Sequence, residues 1–126
     1  MDFHAKKNLI LGRNHTGKSS LIRMIFETLG AVPQGKLEQW DANTITMLDF
    51  SIDEDSFFAL HDRGYRALFN AGGKLLTATG EHSRWAGEFA LITGFNLVLS
   101  DKKADVMNAD PSCFFLPFYI NQDGSW

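Results

Sequence analysis

Apolar and polar residues alternate along the middle of the chain. Between residues 44 and 53, apolar side chains occupy every second position from Leu48 to Ile52. A period of two is typical of a strand with one buried face. The next apolar runs are short, are separated by turns that contain glycine, and lie at residues 56–61, 65–70 and 74–79. The pattern predicts an antiparallel β-meander from residue 44 to residue 79.

Two other stretches follow a helical period. From Lys18 onward, apolar residues recur at the spacing of one helical face, at Leu21, Ile22, Ile25, Phe26 and Leu29. Gly30 follows directly and is a plausible stop signal for that helix. A second helix is predicted over residues 83–100, where apolar side chains recur at Trp85, Phe89, Ile92, Phe95 and Leu99.

The remaining segments are predicted as loops and short strands. Residues 31–43 and 101–112 are polar and contain proline or glycine, which favours loops. Phe114 to Ile120 reads as an apolar strand, and Pro117 within it favours an edge position. Near the amino terminus, Leu9–Leu11 reads as a short strand. Few residues precede it, so its neighbours in a sheet must come from later in the chain or be absent.

A phosphate-binding motif joins this first strand to the first helix. Residues 12–19 read Gly-Arg-Asn-His-Thr-Gly-Lys-Ser, the P-loop spacing. Gly12 and Gly17 let backbone N–H groups turn toward phosphate oxygens without a Cβ in the way. Lys18 would bind the β- and γ-phosphates, and the Ser19 hydroxyl would ligate Mg²⁺. The positive end of the following helix would face the same anion.

Composition and charge narrow the class of protein. The chain has 126 residues, of which 44% are hydrophobic, enough for one packed domain or one lobe of a larger one. Its net charge of −3 lacks the basic character expected of a stand-alone nucleic-acid-binding domain. A single cysteine provides neither a disulfide framework nor a zinc site. No signal peptide or long apolar segment is evident, so we expect a cytoplasmic protein without a membrane partner.

The order of these elements resembles the N-terminal lobe of the ABC-type ATPase head of SMC, RecF and RecN proteins and of DNA double-strand-break repair ATPases. In the motif region, the residues that match are Gly12, Asn14, Gly17, Lys18, Ser19 and Ser20. His15 and Thr16 stand where these families usually have glycine and serine. Residues 118–122, Phe-Tyr-Ile-Asn-Gln, resemble the strand that leads into the Q-loop. Residues 116–126 are also similar to SMC-like ATPases of bacterial anti-phage or anti-plasmid systems.

The resemblance implies an α/β fold of the P-loop NTPase class, with residues 1–126 as a single lobe of a larger split head. ATP and Mg²⁺ would be the ligands, and the residues that hold the triphosphate would be Gly12, Arg13, Asn14, His15, Thr16, Gly17, Lys18, Ser19 and Ser20. Ser19 and Gln122 would flank Mg²⁺, and Gln122 would also approach the attacking water. The C-terminal lobe and a second head would complete the site around ATP. DNA would be contacted only by the intact assembly, and this lobe alone would not hydrolyse ATP.

Two other functions fit parts of the pattern. A self-contained P-loop kinase or GTPase would place Asp49 or Asp101 beside the metal, since each follows an apolar run. The meander and the absence of a base-reading motif argue against it. A non-catalytic assembly module that keeps the nucleotide-binding fold is the other alternative.

Overall fold

The computed structural model describes residues 1–4, 7–13, 17–33, 41, 43–100 and 105–118. Its helices are α1 (Lys18–Thr28), α2 (His82–Thr93) and α3 (Pro111–Phe115), which continues into a 3₁₀ turn (Leu116–Phe118). Its strands are β1 (Thr46–Ile52), β2 (Asp55–Asp62), β3 (Tyr65–Asn70), β4 (Leu75–Thr79), β5 (Val98–Ser100) and β6 (Val106–Asn108). The described part therefore combines helices with antiparallel strands.

The predicted meander is confirmed. Strands β1 to β4 form a four-stranded antiparallel sheet in sequential order. Tight turns make this order possible, because each strand returns beside the one before it. Between β2 and β3, Arg63 has φ +45° and Gly64 has φ +88°, two positive values as in the type I′ turn that suits the twist of a hairpin. A register shift near Leu68 and Phe69 interrupts the pairing of β3 with β4.

The two faces of this sheet differ. On the inner face, the cross-strand row Leu48, Ala59, Leu68 and Thr77 lies under the helices. Ala59 and Leu68 are buried with Trp85 of α2 and form the core. The outer face consists of the alternate residues, in the cross-strand rows Met47–Leu60–Ala67–Ala78, Asp49–Phe58–Phe69–Leu75 and Ser51–Ser56. Within the described residues, both long helices pack on the inner side, which leaves the outer face without a cover.

One buried hydroxyl in the core has no hydrogen-bond partner in the described part of the chain. Thr77 is 2% exposed, and its Oγ1 has no partner among the described residues. We expect Thr77→Val to raise the free energy of unfolding by about 1 kcal/mol, because it removes an unsatisfied polar group and keeps the branched shape. Thr79→Val is the matched control on the same strand. Its Oγ1 accepts a hydrogen bond from the Glu81 N–H at 3.0 Å, so this variant should lose stability. Equal effects of the two substitutions in urea unfolding would contradict the interpretation.

Helix α1 ends where Gly30 predicts. Gly30 has φ +93°, and its N–H donates to the Glu27 carbonyl at 3.1 Å. The next residue, Ala31, donates to the Phe26 carbonyl at 2.9 Å. These two bonds form a Schellman motif, which satisfies carbonyls at the end of the helix.

Three hydrogen bonds attach the end of α1 to the rest of the fold. The Trp85 indole Nε1–H donates to the Leu29 carbonyl at 3.0 Å, and Arg66 Nε of β3 donates to the Glu27 carbonyl at 3.0 Å. The hydroxyls of Thr28 and Thr46 lie 2.6 Å apart. The carboxyl end of α1 is thus fixed on the sheet and on α2. The motif lies at the amino end of the same helix, so this attachment sets where the motif is held.

The second predicted helix is confirmed only in its first part. Helix α2 ends at Thr93 because Gly94 adopts φ +67°, the left-handed conformation of a helix stop. The residues beyond it form β5 instead, which pairs with β6 as a two-stranded antiparallel hairpin. Strand β6 also corrects the prediction of an uninterrupted loop over residues 101–112, of which residues 101–104 lie outside the described part.

The predicted strand over residues 114–120 is wrong in its described part. Asp110 accepts a hydrogen bond from the Ser112 N–H at 2.8 Å and caps helix α3, with Pro111 in the first turn. Phe114 and Phe115 then pack at the side of Phe89, with ring centroids 6.0 and 5.5 Å away. A cap and an aromatic cluster, rather than the apolar run itself, decide the local structure. Residues 119 and 120 lie outside the described part.

The predicted first strand is also wrong. Residues 8–11 have no strand hydrogen bonding, and Leu9 and Leu11 are 81% and 80% exposed. A strand is stable only when a neighbour pairs with its backbone. No strand in the described part of the chain lies beside this segment. Leu9 and Leu11 therefore remain on the surface of the described part.

Candidate phosphate-binding site

The motif runs directly into the start of α1, as its spacing predicts. Gly12 and Arg13 lie in irregular backbone, and Gly17 occupies the N-cap position of the helix with φ +79°. A Cβ at Gly17 would meet no atom of the described residues within 4 Å. The backbone conformation, rather than lack of space, is what requires glycine there. Asn14, His15 and Thr16, which were predicted to hold the triphosphate, lie outside the described residues.

Lys18 closes the loop on itself. Its Nζ donates to the Gly12 carbonyl at 2.8 Å and to the Arg13 carbonyl at 2.7 Å. These hydrogen bonds hold Gly12 and Arg13, at the start of the motif, next to Lys18, near its end. The positive charge of Lys18 therefore lies beside the first residues of the motif, where it would favour an anionic ligand.

The first turn of α1 offers backbone donors. The Leu21 N–H donates to the Gly17 carbonyl at 2.9 Å, so helical hydrogen bonding starts at Gly17. Among the described residues, no side chain caps the amino end of the helix. The N–H groups of Ser19 and Ser20 precede the first intrahelical bond and point toward the loop end of the helix. Together with the helix dipole, they favour an anion at this position.

The proposed metal site is described only in part. Ser19 is exposed at the second position of α1, next to Lys18. Its predicted companion Gln122 lies outside the described residues. Among the described side chains, no group of three or more histidine, cysteine or acidic residues is arranged to hold a metal ion.

The acids of the kinase or GTPase alternative do not reach this loop in the described part of the chain. Asp49 is exposed on the outer face of the sheet, whereas α1 packs on the inner side. A strand alternates its side chains between two faces, so Asp49 points away from the motif. Asp101 lies outside the described residues. Among the described residues, this alternative therefore has no candidate acid beside the loop.

The shifted titratable groups beside the helix lie at the other end of α1. Burial lowers the pKa of His61, and the nearby charge of Arg66 lowers it further. Burial also lowers the pKa of Arg66, although the carboxylates of Asp110 and Glu27 oppose this shift. His61 Nε2 accepts a hydrogen bond from the Gly64 N–H at 3.2 Å, which requires the neutral ring. Arg66 stabilises the attachment of α1 through its hydrogen bond to the Glu27 carbonyl, at the end of the helix opposite the loop.

The sequence indicates where the loop lies, but the prediction did not include the contacts that attach the far end of α1 and so orient the loop. The sequence contains only weak indications of these contacts, namely a tryptophan on a helical face and an arginine between strand residues. Trp85 is 2% exposed and Arg66 is 5% exposed, and both donate to carbonyls at the end of α1. A polar group in a strand core needs a partner, so the arginine was the more informative of the two.

Comparison with known proteins gives one distant relative. The chain is 27% identical over 127 residues to the Lamassu protein LmuB of Bacillus cereus (strain VD014). The similarity covers 100% of this chain and 22% of that protein, so the chain spans less than a quarter of its relative. No family model and no solved structure matches. In the described part of the chain, no helix is long and apolar enough to cross a membrane.

Proposed function

We propose that this chain is the ATP-binding lobe of an SMC-like ABC-type ATPase that acts in a DNA-linked defence, repair or chromosome-maintenance system. The observation that carries the proposal is the contact of Lys18 with the Gly12 and Arg13 carbonyls at the start of α1, where no described side chain caps the helix. The cation, the left-handed Gly17 and the helix N–H groups suit a phosphate group, and the spacing of the motif supports a nucleoside triphosphate as its source.

The distant relative supports the wider context. The similarity to a Lamassu protein extends over the whole chain and agrees with the resemblance of residues 116–126 to SMC-like defence ATPases. This support concerns the system in which the protein works. The nucleotide chemistry rests on the loop alone.

The proposed role of each residue follows from the chemistry of phosphoryl transfer. Lys18 would bind the β- and γ-phosphates, and Ser19 together with Gln122 would flank Mg²⁺. Backbone N–H groups from Arg13 to Ser20 would hold the triphosphate. A C-terminal lobe and a second head would supply the acidic residue and the facing half of the site, so turnover belongs to the assembly.

The proposal is tested by titrating ATP into the full-length protein in a calorimeter, with and without Mg²⁺. We expect binding that strengthens with Mg²⁺, and we expect Ser19→Ala to weaken Mg²⁺–ATP binding by about tenfold or more, because it removes a ligand of the metal. Ser83→Ala is the matched control, since Ser83 is an exposed serine at the second position of α2. It should bind nucleotide normally. Absence of binding at millimolar ATP would overturn the proposal and favour a non-catalytic assembly module.

A further inference from the structure

The outer face of the sheet forms an apolar surface with an acidic border. Its central row brings Phe58 beside Phe69, with ring centroids 5.8 Å apart, and places Leu75 at the far edge. Leu75 is 49% exposed, and Met47 in the adjacent row is 66% exposed. A contiguous exposed patch of apolar side chains often marks a site of interaction with another protein.

A groove crosses this face near the end of the strands where β1 turns into β2. It has a volume of about 570 Å³ and is lined by Phe58, Phe69, Asp49 and the serines Ser51 and Ser56, among others. The serine hydroxyls lie 3.2 Å apart. The floor is therefore aromatic, whereas one wall is polar and carries a carboxylate.

The charges around the groove are mostly negative. Asp49 lies in it, and the adjoining turn and strand start add Asp53, Glu54 and Asp55, all of them exposed. Among the described residues, none of these four carboxylates forms an ion pair. Lys74, in the turn before β4, is the basic residue nearest in sequence to this end of the sheet. These four carboxylates alone carry more negative charge than the whole chain, whose net charge is −3. This corner of the surface is therefore strongly acidic.

The negative charge around the groove favours some binding partners over others. Nucleic acid would bring phosphates against carboxylates and would be repelled. A second copy would bring the same acidic border against itself, which is also unfavourable. A protein segment with apolar side chains flanked by lysine or arginine would bury its apolar part on the phenylalanines and pair its cations with the border.

We propose that the outer face of the sheet, centred on Phe58, Phe69 and Asp49, is a docking surface for a basic amphipathic segment of a partner protein. The surface lies on the opposite side of the sheet from α1, so it can be occupied while the phosphate-binding loop holds a ligand. The inference stands on the sheet alone and does not depend on nucleotide binding.

The test uses the full-length protein and a fluorescent peptide of about twelve residues in which leucine and lysine alternate, a length that crosses a sheet of this width. Fluorescence anisotropy should detect binding that weakens as salt is added. Phe58→Thr combined with Phe69→Thr should reduce the affinity by about tenfold or more, because it removes the aromatic floor. Asp49→Lys should reduce it similarly while changing only an exposed side chain.

Glu81→Lys is the matched charge control, because Glu81 follows β4 at the opposite end of the strands from the groove. It should bind the peptide normally, and a leucine–glutamate peptide should not bind the unaltered protein. The proposal is overturned if the lysine peptide does not bind, or if Glu81→Lys weakens binding as much as Asp49→Lys does. Self-association lost in the double phenylalanine variant would also overturn it, since a second copy would then be the occupant. DNA binding lost in that variant would assign the face to nucleic acid.

Discussion

Gly30→Ala is expected to lower the free energy of unfolding by about 3–5 kcal/mol, among the largest effects of any single substitution in this chain. Two costs add at this position. Gly30 has φ +93°, where an L side chain is strained. A Cβ there would also lie 2.6 Å from Trp85 Cδ1 and closer still to Nε1, in a part of the core that cannot yield easily.

Gly64→Ala separates these two costs. Gly64 has φ +88°, but a Cβ there would meet no atom within 4 Å. We therefore expect Gly64→Ala to cost only about 1–2 kcal/mol, the backbone strain alone. Urea unfolding followed by circular dichroism measures both variants. Similar losses at the two glycines would show that contact with Trp85 contributes nothing.

A double substitution tests the same contact directly. Trp85→Leu removes the indole atoms that a Cβ at Gly30 would strike, so Gly30→Ala should cost less in that background than in the unaltered protein. Additive losses would contradict the steric argument. Trp85→Leu by itself should also be destabilising, because it leaves the Leu29 carbonyl without its donor and opens space in the core.

On the proposed function, Lys18→Ala is expected to reduce ATP hydrolysis by the full-length protein by about a hundredfold or more, because it would remove the cation that faces the transferred phosphate. The same substitution removes the hydrogen bonds to the Gly12 and Arg13 carbonyls that close the loop. Stability should change little, since these bonds lie at the surface. Steady-state ATPase assays and thermal unfolding on the same samples distinguish lost chemistry from lost folding.

Lys7→Ala is the control for this loss, because Lys7 is an exposed lysine that precedes the motif. It should hydrolyse ATP normally. Turnover of Lys18→Ala at the unaltered rate would refute the assignment of the loop. Loss of turnover together with a much lower unfolding temperature would point instead to a structural role for the lysine.

The sequence alone determined the features that depend on near neighbours in the chain. The alternation around Leu48 and Ile52 and the turn at Arg63-Gly64 predicted the meander, because strand period and turn chemistry are local properties. The helical face from Leu21 to Leu29 and the stop at Gly30 were local in the same way. The candidate phosphate-binding motif was recognised from the spacing of its residues, since such a loop is built by consecutive residues.

Tertiary structure decided the features that depend on distant neighbours. The run from Phe114 was apolar enough for a strand, but a cap at Asp110 and contact with Phe89 made it a helix. The apolar Leu9 and Leu11 had the pattern of a strand and form none in the described part, because a strand requires a partner that local pattern cannot provide. The strict requirement for glycine at position 30 likewise comes from Trp85, 55 positions further along the chain. Local periodicity specified the meander and the two long helices. Contacts between elements specified where those helices end, which of the other apolar runs become strands, which faces remain exposed in the described part, and how the candidate phosphate-binding loop is held.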